Sequence, residues 1–599
     1  MKQFLLTVAG VFVGLVLFMV VIPVILIAGL VGSAVKSAEG PVTPPAAVLE
    51  LDLRGGLSDQ DSQNPFAIFS GSGHSVIGIS QKLKQAAADS KVKGVFVRLP
   101  EGGMAPAAAD ELRQAFIRFR ASGKPMIAHS QGLYPSGAVT STYMLAAATG
   151  DVWMQPGAAF QATGMAVEDI FFKRLFDKYG VNPQFEQRKE YKNAVNPYLH
   201  DDYTPAHKEA QLSWMGSIYR TALVTAAADR KMTPEAMAAT IEGGPWSADQ
   251  ALQKRLIDRV GQVKEASDAL LSKAGKGAKL IDFDDYSGKS GKPGKGAATS
   301  QTVAVIGAEG AIMTGDGGGN GFGDSNVSSD LVAKALYEAA ADKTVKAVVF
   351  RVSSPGGSDT ASEQILAGVR AVKAAGKPVV VSMGTYAASG GYWISSQASS
   401  IVAQPTTLTG SIGVYGGKFA LGDALGRLGV DVRETTVGGP YSDAFGMQKG
   451  FTDQQRAAFS GWMDTIYEGF VARVAEGRKM SPDKVRELAK GRVWTGAQAR
   501  QLGLVDRLGG FYDAIDEARK LAGIKGEPRL KFIGGPKSPF EALERAFGVS
   551  SDSVRTLAAA AWIFGDPRAQ QAMDAMAQAR LRDRGAAVLA PSPSLAGTR

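Results

Sequence analysis

A serine followed by two glycines stands at positions 389–391, just past the apolar run Pro378-Val379-Val380-Val381. The run reads as a buried strand, and Gly391 to Ala398 reads as the start of a helix. A serine on a tight strand-to-helix turn has the mechanics of a nucleophile elbow. The glycines let backbone approach a substrate closely, and Gly390 leaves an N–H to point at an oxyanion. By itself a Ser-Gly pair marks an ordinary loop. Three other stretches make it a candidate site: Arg351–Gly357, Gly410–Val414 and Tyr191–Tyr198.

A hydrolytic serine needs a base. The chain has four histidines, His74, His129, His200 and His207. All lie in the first half, none forms a metal-like pair, and each reads as a surface or packing residue; a Ser-His-Asp triad carries no signal. A lysine is the alternative, provided burial brings its pKa from about 10.4 toward neutrality.

The elements that must position these groups occur twice. In the first half, a strand at 48–53 is followed by a helix near 75–89, the strand Val92–Arg98 ending at Glu101-Gly102-Gly103, a helix at 107–122 and a strand at 126–130. In the second half, a strand begins at Thr302, and Val345–Arg351 leads to Ser354-Pro355-Gly356-Gly357, a helix at 360–375 and Gly376-Lys377-Pro378. Arg98 with Arg351, and Lys124 with Lys377, share an offset of 253 residues; Trp246 with Trp494, and Asp258 with Asp506, share one of 248. A nearly constant offset over so long a stretch is a tandem duplication of a whole domain. Alternating strands and helices predict an α/β fold.

Comparing the repeats locates the chemistry. The second has Arg351-Val-Ser-Ser-Pro-Gly-Gly357, Ala388-Ser389-Gly390-Gly391-Tyr392 and Thr409-Gly-Ser411-Ile-Gly413. The first has Arg98-Leu-Pro-Glu-Gly-Gly103, a single glycine after Ser136, and no serine at the counterpart of Ser411. Farther on the pattern reverses: Glu190-Tyr191-Lys192-Asn-Ala-Val-Asn-Pro197 faces Pro440-Tyr441-Ser442-Asp-Ala-Phe445, with no lysine. Each half therefore holds one piece of a dyad, Ser389 from the second and Lys192 from the first. Taken singly, Ser389 is a turn residue, Lys192 a surface lysine and Ser411 a turn or helix cap; it is their co-occurrence that singles them out. Ser136 lacks the second glycine and the partner serine.

With 599 residues, 45% hydrophobic and 21% charged, the chain is globular and long enough for several domains. It contains no cysteine, which excludes disulfides and thiolate metal sites. Its net charge of +9 is dispersed, which gives nucleic-acid binding no support. Phe4 to Val35 is uncharged, longer than the roughly 20 residues that span a bilayer and longer than a signal-peptide core. It reads as an uncleaved N-terminal transmembrane helix with the bulk of the chain beyond the membrane. The expected organisation is an anchor over 1–38, a first repeat over 46–285, a basic flexible linker over 286–300, a second repeat over 301–525, and an extension over 526–599, helical at 538–583 with a disordered tail from about 585.

These motifs resemble the signal peptide peptidase A family in its long, two-repeat bacterial form, over roughly residues 1–525. Arg-x-Ser-x-Pro-Gly-Gly, Ala-Ser-Gly-Gly-Tyr and Thr-Gly-Ser-Ile-Gly carry the resemblance together, and Tyr-Lys-x-Ala-x-x-Pro strengthens it. The resemblance implies a Ser/Lys protease on tandem Clp-protease/crotonase-like domains, without metal or cofactor. Ser389 would be the nucleophile, Lys192 the base and Ser411 the residue orienting the lysine. Gly390 with Gly356 or Gly357 would supply the oxyanion donors. It further implies a homotetramer on the periplasmic face of the bacterial inner membrane, taking apolar signal peptides as substrate. Two rivals share the sequence features: an acyl-thioester enzyme of the same fold, and a non-catalytic membrane scaffold.

Overall fold

The computed structural model describes residues 43–61, 74–286, 301–316, 326–534 and 588–589. The expected membrane anchor, the linker past Tyr286, which is itself buried in the first repeat, and the helical stretch at 538–583 lie outside the described residues. Among the described residues no helix is long and apolar enough to cross a membrane.

The first repeat contributes β1 (Ala47–Asp52), α1 (Val76–Ala88), β2 (Val92–Arg98), α2 (Pro106–Arg120), β3 (Met126–Ser130), α3 (Val139–Ala147), β4 (Val152–Met154), β5 (Asn182–Arg188), α4 (Pro205–Arg230), β6 (Arg259–Val260) and β7 (Lys279–Asp282). Its main sheet runs β6-β4-β3-β2-β1-β7, with every neighbour parallel.

The second repeat contributes β8 (Thr302–Glu309), α5 (Ser329–Ala341), β9 (Val345–Ser354), β10 (Gly356–Gly357), α6 (Asp359–Ala374), β11 (Val379–Ala388), α7 (Gly390–Ser395), β12 (Ser400–Ala403), β13 (Leu408–Gly410), β14 (Val414–Ala420), α8 (Asp453–Arg478), β15 (Val493–Thr495), β16 (Arg507–Leu508), α9 (Phe511–Leu521) and β17 (Arg529–Ile533). Its sheet runs β15-β13-β11-β9-β8-β17, with β12 branching from β11 and β16 pairing with β12. The duplicated α/β architecture expected from the offsets is thus present, with a parallel sheet in the first half and, in the second, a sheet that is parallel except where β13 pairs antiparallel with β15.

These elements form where local chemistry favours them. Ser75 caps α1 by accepting from the Gly78 N–H at 2.8 Å, and Pro106 opens α2 at a position where a missing N–H is harmless. Thr452 and Gln455 make a reciprocal capping box at α8. The central strands β9 and β11 are buried almost throughout, as parallel strands covered by helices on both faces should be. One face of the second sheet packs on α6, α7 and α8 through Leu366, Tyr392 and Phe470. The other packs on α9 through Phe511 and Ile515, joined by Ile77 from the first repeat.

Two features lie past the expected end of the second repeat. β17 pairs with β8 from Thr302↔Arg529 to Ile306↔Ile533, so the sheet edge comes from the stretch read as extension. Within the tail read as disordered, β18 (Val588–Leu589) pairs antiparallel with β10.

Candidate active site

The site is assembled by a two-stranded ladder between the repeats. β5 of the first runs antiparallel to β14 of the second, from Ala420↔Asn182 to Val414↔Arg188. Four residues past Arg188 the chain reaches Lys192, and just before Val414 lies Ser411. The ladder therefore delivers the lysine to the serine. Backbone bonds from the Tyr191 N–H to the Lys490 carbonyl (3.1 Å) and from the Gly491 N–H to the Ile412 carbonyl (2.9 Å) hold the junction. Gly491, at φ 80°, leaves room for it: a Cβ there would stand 2.6 Å from the Lys192 amide nitrogen.

Lys192 has no exposed surface. Its Nζ stands 2.9 Å from Ser389 Oγ, 3.0 Å from Ser411 Oγ and 3.0 Å from the Ser411 carbonyl oxygen, all in one chain. Burial alone lowers its pKa from 10.5 to about 7. A neutral amine has two N–H donors and one lone pair. Three partners are present: two acceptors on Ser411, and the Ser389 hydroxyl, which can donate.

Ser389 directly follows β11 and precedes α7 at φ 56° and ψ −120°, a conformation non-glycine residues hold only when their surroundings impose it. Its N–H donates to the Gly410 carbonyl at 2.9 Å, and the Tyr392 and Trp393 amides donate back to its own carbonyl. Ser411 is also held at positive φ, 49°. Gly390 is the first residue of α7, so its N–H has no acceptor within the helix. A Cβ on Gly390 would stand 3.1 Å from the Gly357 nitrogen, which places the two peptide units side by side. The neighbouring Gly356 N–H instead donates to Ser354 Oγ at 3.2 Å.

The corresponding place in the first repeat is built differently. There the Gly103 N–H, the counterpart of Gly356 at the offset of 253, donates to the Ser136 carbonyl at 2.7 Å. α3 starts three residues past Ser136, at Val139. Three of the four histidines are engaged elsewhere: His74 with Asp284, His129 with the Gly261 carbonyl, and His207 against Tyr203. Among the described residues no group of acidic or histidine side chains could hold a metal ion.

The structure thus gathers Ser389, Lys192, Ser411, Gly390 and Gly357 at one point and turns Gly356 inward to Ser354. Sequence reasoning missed the acidic side chains Asp59 and Glu111, which bond Arg351 in the strand leading to these glycines. The Arg98/Arg351 pairing offered the signal, because only one of the two arginines lies in a motif rich in serine and glycine.

Known proteins resemble the chain across both repeats. The model of peptidase family S49 matches residues 118–276 and 371–525, one segment in each repeat. Protease 4 of Salmonella typhi is 35% identical over 461 residues, covering 76% of this chain and 73% of that protein. Protease 4 of Haemophilus influenzae is 32% identical, covering 73% and 72%. The chloroplastic serine protease SPPA of Arabidopsis thaliana is 30% identical, covering 81% and 71%. With a family segment in each half and relatives matched across both, the chain belongs to peptidase family S49 and is a serine protease of the two-repeat form.

Proposed function

We propose that the protein is a membrane-anchored endopeptidase that degrades cleaved signal peptides with a Ser389/Lys192 dyad. The observation that carries the reading is the 2.9 Å contact between a fully buried lysine and a serine held at positive φ. The neutral Lys192 amine takes the Ser389 hydroxyl proton as Oγ forms a bond to the peptide carbonyl carbon. Charge developing on the carbonyl oxygen is met by the Gly390 and Gly357 N–H groups; a donor of this kind is worth roughly 3–4 kcal/mol. The ammonium then gives its proton to the leaving amine as the C–N bond breaks. Water, deprotonated by the same amine, resolves the ester. Ser411 keeps Nζ aimed at Ser389 through its two acceptors.

A peptide substrate is supported by the edge of β10, which already accepts an extended segment in antiparallel pairing, Gly356↔Leu589 and Gly357↔Val588. The anchoring rests on the uncharged run Phe4–Val35, and the substrate class on the likeness to a relative from Enterococcus faecium called a signal peptide peptidase, 32% identical over 223 residues. A homotetramer at the periplasmic face belongs to the same reading.

The test is hydrolysis of an apolar signal-peptide sequence by the full chain in detergent, with products read by mass spectrometry. Internal cleavage that disappears in both Ser389→Ala and Lys192→Ala is expected. Cleavage surviving in either variant would refute the dyad.

A further inference from the structure

The first repeat does more at the site than lend a lysine. Arg351 lies in β9, three residues before Ser354 and five before Gly356, and is 2% exposed. Its guanidinium donates to Asp59 through Nε (2.9 Å) and Nη2 (2.6 Å), and through Nη1 to Glu111 (3.1 Å) and Ser382 Oγ (2.9 Å). Asp59 and Glu111 belong to the first repeat and are 6% and 1% exposed. The counterpart Arg98 has no such grip: it reaches Gln131 at 3.0 Å and Glu50 only at 3.6 Å.

The acidic side chains of the first repeat touch each of the three second-repeat segments that end in the site. Asp59 wedges between β9 and β11. A Cβ on Gly384 would stand 2.5 Å from Asp59 Oδ1 and 2.9 Å from the Ser353 side chain, so glycine is required for the approach. β9 runs on to the oxyanion glycines and β11 to Ser389. Glu111 accepts from Gln404 Nε2 at 3.1 Å and from the Phe511 N–H at 2.8 Å. Asp110, beside it, bonds Thr406 Oγ1. Gln404 and Thr406 lie on the turn into β13, which ends just before Ser411. The Asp59 and Gln60 amides are tied in turn to Glu309 of β8, at 2.7 and 2.8 Å.

We propose that Asp59 and Glu111, acting through Arg351, are positioning residues for the reaction. They lock the strands carrying nucleophile, oxyanion amides and Ser411 into the geometry that Lys192 requires, and the inference rests on the Ser/Lys reading above. A paired buried charge is weak evidence for stability, because apolar replacements often serve the fold equally well. Misplacement of catalytic groups by about 1 Å can reduce rate about 100-fold. The clamp is therefore read in rate rather than in folding.

The experiment compares the full chain with Asp59→Asn and with the neutral triple variant Asp59→Asn/Glu111→Gln/Arg351→Met. Active serine is counted by fluorophosphonate titration, and kcat and KM are measured on an apolar peptide. The triple variant removes every charge of the triad together and leaves none unpaired, so it covers the case in which Asp59→Asn fails to fold. The expected result is kcat per titrated serine reduced roughly 10- to 100-fold with KM nearly unchanged, partly recovered by Asp59→Glu. In the triple variant thermal stability returns while kcat does not. Wild-type kcat per titrated serine in a folded variant would overturn the proposal. Ser389→Ala, run alongside, separates the two readings: if it still titrates, the dyad itself is wrong; if it is silent while Asp59→Asn is unimpaired, only the clamp fails.

Discussion

Replacing Lys192 by methionine, which fills a similar space without charge, should abolish hydrolysis and change stability in a pH-dependent way. The amine has a pKa of about 7 in the fold and an ordinary value of 10.5. Between those values the unfolded chain holds a proton that the folded chain lacks, so wild-type stability rises with pH across the window. Each pH unit there is worth about 1.4 kcal/mol, so burying the amine costs the fold as much as about 4 kcal/mol at pH 7. The methionine variant escapes this penalty but strips partners from the Ser389 and Ser411 hydroxyls, at about 1–3 kcal/mol. It should therefore be the more stable protein at pH 7, by about 1–3 kcal/mol. That advantage should shrink as pH rises, with the two stability curves crossing near pH 9 on these magnitudes. Paired thermal melts between pH 7 and 10 measure the difference, and groups titrating alike in both proteins cancel. A difference that stays constant over this range would refute the claim that the fold depresses Lys192.

Ser389→Ala should remove all hydrolysis while Ser136→Ala leaves it intact, measured on the same apolar peptide, because Lys192 meets Ser389 and Ser136 is followed by a single glycine. Mixed assemblies of Ser389→Ala and Lys192→Ala chains should regain no activity, because both residues of each dyad come from one chain; recovery would mean that chains exchange them. The Glu309 carboxyl is raised to about 7 by burial and by the nearby Asp59 charge. From about pH 4.5 to 7 the folded chain thus holds a proton that the unfolded one has lost, and this group's contribution to stability falls as pH rises. Glu309→Gln should flatten that part of the melting profile, and an unchanged slope would exclude the effect.

Local chemistry made much of this legible. The duplication could be read from paired arginines and lysines at a fixed offset, and Ser389 from its glycines. Lys192 was visible because its counterpart region, around Ser442, holds no lysine. What joins the repeats was not legible. The β5–β14 ladder pairs strands more than two hundred residues apart, and β5, Asn-Pro-Gln-Phe-Glu-Gln-Arg, carries no strand signature. The Arg351 clamp depends on carboxylates 292 and 240 residues away, which look like surface charges in sequence and become buried only when the repeats dock. The bond from the Gly356 N–H to the Ser354 hydroxyl was equally hidden, because no spacing encodes its direction. β17 was overlooked because a five-residue edge strand with two charged side chains, Arg529 and Lys531, resembles a tail.

The central claim is that a lysine neutral near pH 7 activates Ser389. It is tested most directly by the rate at which a fluorophosphonate labels the full chain as pH is varied, with the modified residue mapped. The account expects a single label on Ser389 and a rate that climbs with pH to half its plateau near pH 7, where Lys192 loses its proton. That limb should be absent in Lys192→Ala, which should label at least a hundredfold more slowly, at the low end of what a general base contributes, about 10²–10⁴. Labelling at another residue, or a Lys192→Ala protein that labels as fast as wild type with the same pH profile, would contradict it.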